Sequence, residues 1–578
     1  MIQSINGRLK QLMPIGTLWA LTICSLVSMV SVAQASTPVS VHPISLEALP
    51  VQDSGRIKPF DTFARETLQL IWGREKFGGK KAVDVVFSWM LVPEQLENEQ
   101  IILIRHAGLR EALQLDNERL YYSVGELMTN ARLGLLMQDL RSKRDLKEKM
   151  DPFFQAVQTL ESQITLFQAV RLGMTPGVAP VIATAPVDPM NPAPPDKWQS
   201  PSQLQGDHKE KFAAISKSFI RYISDKSDKP AEASAESVPS IEDAVGAYVG
   251  LLEAEHGDYS GRNKISAEVS YNGLHPFLFS WIAYLIASIL FAVILFTDAH
   301  KFNKYAWGAV GFGFVFHLIG FATRIYITGH APVTNMYETV VWVALGTIMI
   351  SSVLYKFFKN TIMMLAATMA ATLCLILCDI SNHVLDGSMN PLEPVLRDNF
   401  WLTTHVLTIT LSYAAFFLAF FVGDITLFYY LKDEKKYADK IAQASNAMYR
   451  AIQVGVVLLA GGVILGGIWA DYSWGRFWGW DPKETWAFIA LMGYIAILHG
   501  RLAGWLRNFG LATTSVLAFS LVVMAWYGVN FVLGAGLHTY GFGAGGVEWV
   551  AAFVAAHVLF VIYVTTLRQS RLKQSITK

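Results

Sequence analysis

From residue 275 onward the chain contains nine apolar runs, each long enough to cross a bilayer: near 276–297, 306–326, 338–357, 361–379, 402–431, 449–470, 484–500, 511–533 and 549–567. Inside lipid a backbone must satisfy its own hydrogen bonds, so runs of this length and polarity form helices. The fold class expected is therefore an all-α polytopic membrane protein, with about nine transmembrane helices in the C-terminal half. Composition agrees, with 52% hydrophobic and 16% charged residues among 578. The net charge of +1 gives no electrostatic case for a nucleic acid partner.

The rest of the chain divides around this region. Residues 1–35 carry Arg8 and Lys10, an apolar stretch of about twenty residues, and an A-x-A site at Ala33-Gln34-Ala35. They read as a signal peptide or an uncleaved N-terminal membrane anchor. Residues 36–274 lack a spanning run and read as an extracytoplasmic domain of mainly helical character. Extended chain and turns are expected over 49–62. Helices are expected over 62–73, 109–115, 122–140, 152–172, 209–225 and 240–256. Eight prolines within 175–202 mark a linker. Residues 571–578 form the tail.

Basic residues set the orientation. They collect at Lys301 and Lys304, at Lys356 and Lys359, at Lys432, Lys435, Lys436 and Lys440, at Arg501 and Arg507, and at Arg568, Arg571 and Lys573. These are alternate connections, so they share one side, the cytoplasm. The connections 327–337, 380–401, 471–483 and 534–548, and the 36–274 domain, then face outward.

One outward connection is unusual. Residues 474–486, Trp-Gly-Arg-Phe-Trp-Gly-Trp-Asp-Pro-Lys-Glu-Thr-Trp, hold four tryptophans, Trp474, Trp478, Trp480 and Trp486. An interfacial aromatic belt explains one or two of these, not four beside Asp481-Pro482-Lys483-Glu484. A flat aromatic shelf at a membrane surface suits a large planar apolar ligand. Arg476 and Lys483 lie within it and suit an anionic group on that ligand; ordinary interfacial anchoring is the competing role.

Histidine in or beside a membrane is costly, and it is a common axial ligand for haem iron. His405 and His538 fall on the shelf's side of the membrane. An interfacial histidine bonded to backbone is the alternative for each taken alone. His499 lies fifteen residues beyond Glu484, ~22 Å along a straight helix, so it belongs to a separate inner level. His317 is mid-span and either assists that inner site or packs. Arg324 and Glu338 read as an ion pair closing the outer loop between two spans. Cys24, Cys374 and Cys378 all lie in apolar segments, which implies no disulfide framework, and no Cys-x-x-Cys-His occurs in the chain.

At this point the residues resemble a known family. Trp474 to Trp486 is similar to the tryptophan-rich WWD haem-handling signature. Its continuation to Leu498-His499-Gly500-Arg501, with the stretches 329–338, 401–405 and 536–540, resembles the CcsA proteins of System II cytochrome c biogenesis. The WWD stretch alone also admits the CcmC and CcmF proteins of System I. The resemblance implies haem b, bound as substrate on the external face by the WWD region (Arg476, Trp474, Trp478, Trp480, Asp481, Trp486), with His405 and His538 as axial ligands. His499 would belong to an inner haem site. It implies a bacterial inner-membrane protein that presents haem to the Cys-x-x-Cys-His motif of apocytochrome c, as a cytochrome c haem lyase or synthase. A ResB/CcsB-type membrane partner completes the picture. The alternative is a haem exporter or delivery subunit, with ligation performed by another protein.

Overall fold

A computed structural model describes residues 45–91, 98–146, 148, 150–180, 198–225, 238–256, 262–381, 384–392, 399–534, 536 and 546–576. The expected signal peptide or anchor lies outside these residues, as does His538. The chain forms two compact units, Thr37–Leu274 and a second that contains His275–Lys578.

In the first unit a hairpin pairs β1 (Pro50–Asp53) with β2 (Arg56–Pro59) in antiparallel register. Ser54 and Gly55 both have positive φ, the turn geometry that matches the twist of the strands. The chain then enters the helix Phe60–Trp72, whose inward face (Phe60, Phe63, Ala64, Leu68, Ile71) is buried. Gly73 ends it in the left-handed conformation. Charges are buried here in pairs. Arg56 holds Glu268 bidentately at 2.8 and 2.7 Å, and Thr62 donates to the same carboxylate. Lys58 lies 2.7 Å from Asp53 and 2.5 Å from Glu66.

Two sequence expectations change in this unit. The single helix expected over 122–140 is two, Val124–Met128 and Ala131–Asp145. Asn130 divides them because its side chain caps the second by accepting from Arg132 N. The linker expected over 175–202 has both ends folded into the unit. Ala179–Pro180 pairs with Trp198–Gln199, and Tyr248 Oη donates to Val178 O. The helices Ala82–Leu91 and Arg262–Leu274 had no counterpart in the sequence reading.

The second unit is a helical bundle. Nine helices among the described residues are long and apolar enough to cross a membrane. They are α1 (Pro276–Thr297), α2 (Asn303–Thr328), α3 (Met336–Phe358), α4 (Thr361–Ile380), α5 (Leu407–Asp433), α6 (Ala438–Trp474), α7 (Pro482–Leu502), α8 (Asn508–Val523) and α9 (Val547–Ile576). Helix α5 is central: it packs on α3, α4, α6, α8 and α9, most extensively on α6. Helix α9 is peripheral and touches α5 and α8. Two of its bonds are Arg568 bidentate to Glu434 at 2.8 Å and His557 to Asp424 at 3.4 Å. The expected tail joins α9, which runs to Ile576.

Two π-helical turns interrupt the regular spans. Leu402–Val406 leads into α5, and Met524–Leu533 continues α8. Each sits at the end of the bundle that carries the tryptophan stretch, where an extra residue per turn re-aims side chains.

Candidate functional site

Helix α6 ends at Trp474 with Gly475 in the left-handed conformation. Six residues later Asp481 begins α7. Its carboxylate accepts from Lys483 N at 3.0 Å, while Glu484 Oε2 accepts from Asp481 N at 3.2 Å and Gly479 N at 2.8 Å. This reciprocal cap pins the loop to the first turn of α7 and holds Trp480 at a positive φ. Within the loop Trp478 meets Trp480 edge to face at 5.8 Å, and Arg476 sits over the Trp474 ring at 6.0 Å. The Asp-Pro-Lys-Glu sequence is thus a helix start that fixes an aromatic loop.

Beneath the loop is a cavity open at its mouth. Its walls come from five places in the chain. Val333, Thr334 and Asn335 arrive from the α2–α3 loop and Met336 from the start of α3, His405 from the first π turn, and Trp469 from α6. Phe477, Trp478, Lys483 and Glu484 come from the shelf, and Trp526 and Asn530 from the second π turn. The lining sets five aromatic side chains, Tyr413, Trp469, Phe477, Trp478 and Trp526, among aliphatic and polar ones, a mixture that suits a flat ligand with a few polar contacts.

His405 is held rigidly in this wall. Its Nδ1–H donates to Gly462 O at 2.9 Å, and its ring packs against Trp469 at 5.7 Å. A backbone-anchored Nδ1 fixes the tautomer and makes Nε2 the nitrogen suited to a metal. Helix α6 approaches this ring so closely that a Cβ at Gly466 would lie 2.6 Å from His405 Cε1. Replacing Gly466 by Ala should therefore displace the imidazole. Alanine is ~1 kcal/mol better than glycine inside a helix, so the fold itself should not weaken greatly. The expected result is about tenfold weaker binding of a His405-ligated metal compound, the size of effect seen when a ligand's supporting contact is lost. A spectroscopic titration of the purified variant checks it.

The other sequence-predicted residues separate by place. Trp478 and His405 share the cavity, as do Lys483 and Glu484. Trp474, Trp480, Trp486, Arg476 and Asp481 belong to the shelf but do not line the cavity. Trp480 is exposed, and the Arg476 guanidinium folds back over Gly479. Gly536, two residues before His538 in sequence, backs directly onto the shelf: a Cβ there would lie 2.4 Å from Asp481 Oδ2.

His499 lies on the same unbroken helix α7 as Glu484, fifteen residues on, ~22 Å along its axis. It is exposed on this unit, with Nδ1 engaged by Ile495 O at 2.9 Å. His317 is packed inside the bundle. It is fully buried, Nε2 meets Val341 O at 3.1 Å, Nδ1 lies 3.4 Å from Tyr284 Oη, and Phe277 packs edge-on against the ring. It does not line the cavity. Arg324 and Glu338 form the expected ion pair at 2.7 Å, buried on both sides. The pair ties down the loop that supplies the wall from Val333 to Met336. Glu338 also accepts from Thr334 N and Oγ1, and Arg324 Nη1 donates to Gly387 O.

Sequence reasoning missed Trp469, Tyr413, Trp526 and Asn530, all in the cavity wall. Each falls inside an apolar run, where an inward and a lipid-facing residue look alike.

The fold and site define a polytopic helical membrane protein with a cavity at one end of its bundle, walled in part by a capped tryptophan loop and a backbone-anchored histidine. Residues 333–538, which include every residue lining that cavity, match the family model described as cytochrome C assembly protein. The chain is 31% identical over 251 residues to the cytochrome c biogenesis protein CcsA of Chlorella vulgaris, covering 37% of this chain and 79% of that protein. It is 35% identical over 250 residues to CcsA of Prochlorococcus marinus (strain MIT 9312), covering 38% and 78%. It is 27% identical over 510 residues to protein NrfI of Wolinella succinogenes, covering 84% of this chain and 53% of that protein. The chain thus spans about half the length of NrfI. It belongs to the CcsA family of cytochrome c biogenesis proteins, and its function is in cytochrome c biogenesis.

Proposed function

We propose that the cavity binds haem b as substrate on the external face of a bacterial inner membrane and presents it to apocytochrome c. The observation that carries this is His405, fixed through Nδ1 on Gly462 within a wall shared with Trp478, Phe477 and Lys483. Aromatic walls suit a porphyrin face, and the imidazole suits its iron. His538 supplies the second axial position. The close approach of Gly536 to Asp481 supports that role, since Gly536 is two residues before His538 in the sequence. The distribution of basic residues over alternate connections supports the outward orientation of shelf and N-terminal domain.

Haem arrives from an inner site that includes His499. The exposure of His499 on this unit supports a site completed by a second membrane protein of ResB/CcsB type, while the exposed apolar faces of the spans meet lipid. At the outer site each cysteine thiol of a Cys-x-x-Cys-His motif adds across a haem vinyl group. The S–H bond breaks, a C–S bond forms at the inner vinyl carbon, and the hydrogen goes to the terminal carbon, with no net oxidation. The chain's part in this lyase reaction is to hold, orient and shield the haem. One axial histidine gives way to the histidine of the arriving motif.

Co-expression of this chain, a ResB-type protein and an apocytochrome in a host without its own maturation system tests the reading. Covalent haem on the apocytochrome, seen by haem staining of a denaturing gel, is expected. Haem reaching the external face without covalent attachment would instead identify an exporter or delivery subunit.

A further inference from the structure

Several polar groups in the cavity wall have partners within the protein. Thr334 Oγ1 donates to Glu338, Thr410 Oγ1 to Val406 O, and Thr339 Oγ1 to Met336 O while accepting from Trp526 Nε1. Glu484 accepts from the shelf backbone and His405 donates to Gly462. Two wall atoms remain buried without a hydrogen-bond partner among the described residues: Trp469 Nε1 and Asn530 Oδ1. Trp469 is only 7% exposed, and its ring rests on His405. Asn530 sits in the π-helical continuation of α8, whose widened turn directs it to the cavity.

A buried N–H or amide oxygen without a partner costs on the order of 1–3 kcal/mol, so such groups in the wall of a cavity are places where a ligand's polar group can complete the bonding. One is a donor and the other an acceptor. An aliphatic or vinyl edge satisfies neither. A carboxylic side group can satisfy either: its oxygen accepts from an indole N–H, and in its neutral form its O–H donates to an amide oxygen.

We infer that Trp469 and Asn530 form a polar subsite that recognises the carboxylic side groups of the flat ligand and so fixes the ligand's rotation in the cavity. The inference rests on the haem reading above and deepens it. With the carboxylic edge fixed at this subsite, the vinyl edge of haem is presented in one orientation to an incoming thiol. Trp469 and Asn530 are therefore positioning residues for the substrate.

The test compares two iron porphyrins on the purified full chain in detergent. Iron protoporphyrin IX carries two carboxylic groups, and iron etioporphyrin carries only alkyl groups. Trp469→Phe keeps the ring against His405 and removes the N–H; Asn530→Leu keeps the volume and removes the acceptor. Each variant is expected to bind iron protoporphyrin IX about tenfold more weakly than the parent, the loss of one hydrogen bond. Each should bind iron etioporphyrin within about twofold of the parent. Equal losses with both porphyrins would overturn the inference by showing that the residues only support the wall. Unchanged binding of both would overturn it by showing that the two atoms meet solvent. A parent chain that gives no His405-dependent spectrum with either porphyrin would overturn the haem reading beneath it.

Discussion

Replacing His405 by alanine is expected to lower the yield of covalent cytochrome c by at least about a hundredfold, and replacing His405 and His538 together to abolish it. The reason lies in how His405 is built into the wall. Its Nδ1 is fixed on Gly462 O at 2.9 Å, its ring packs on Trp469, and Gly466 leaves space for nothing larger beside it. Loss of a group that only supports a metal ligand costs 10–100-fold, and loss of the ligand itself costs more. Alanine leaves a pocket where the imidazole was, so imidazole added to the medium should restore part of the yield. A purely structural histidine would not be rescued in this way. The measurement is haem-stained cytochrome c from cells expressing each variant at matched membrane levels. Full maturation by the His405→Ala chain would remove His405 from the mechanism.

The second large effect is on stability. Arg324 and Glu338 are each 2% exposed and face one another at 2.7 Å. Glu338→Gln leaves the Arg324 guanidinium uncompensated inside the bundle. Breaking a buried pair from one side costs about 3–5 kcal/mol. Replacing both partners together, as Arg324→Met with Glu338→Leu, should cost much less, since no charge is then stranded. The midpoint of thermal unfolding of the solubilised protein should therefore fall most for the single variant. The loop from Val333 to Met336 forms part of the cavity wall, so haem affinity should fall with it. A Glu338→Gln protein as stable as the parent would contradict the pairing.

Much of this was legible from the chain because lipid is a strict solvent. A run of twenty apolar residues has few structures open to it, and each of the nine runs is a helix in the structure. The cap by which Asp481 and Glu484 start α7 and pin the loop before it was not read from the chain, where these residues stood only as part of the tryptophan stretch. The ion pair of Arg324 with Glu338 followed from their positions at facing helix ends. Other features leave no mark in one dimension. A π turn adds one residue to a helical turn without changing apolar character, so the re-aiming of His405 and Asn530 was invisible. Trp469 and Trp526 line the cavity, but in a span an aromatic residue reads the same whether it faces lipid or a ligand. In the first unit, Asn130 interrupts a helix through one side-chain bond that periodicity does not record.

The central claim is that the cavity beneath the tryptophan loop holds haem iron through His405. The direct measurement is the absorption and magnetic circular dichroism spectrum of the chain purified from haem-replete membranes, for the parent and for His405→Ala. The account predicts a six-coordinate low-spin haem with two imidazole ligands in the parent, and its loss or conversion to a five-coordinate species in the variant. A bis-imidazole spectrum of equal intensity in both proteins would contradict it.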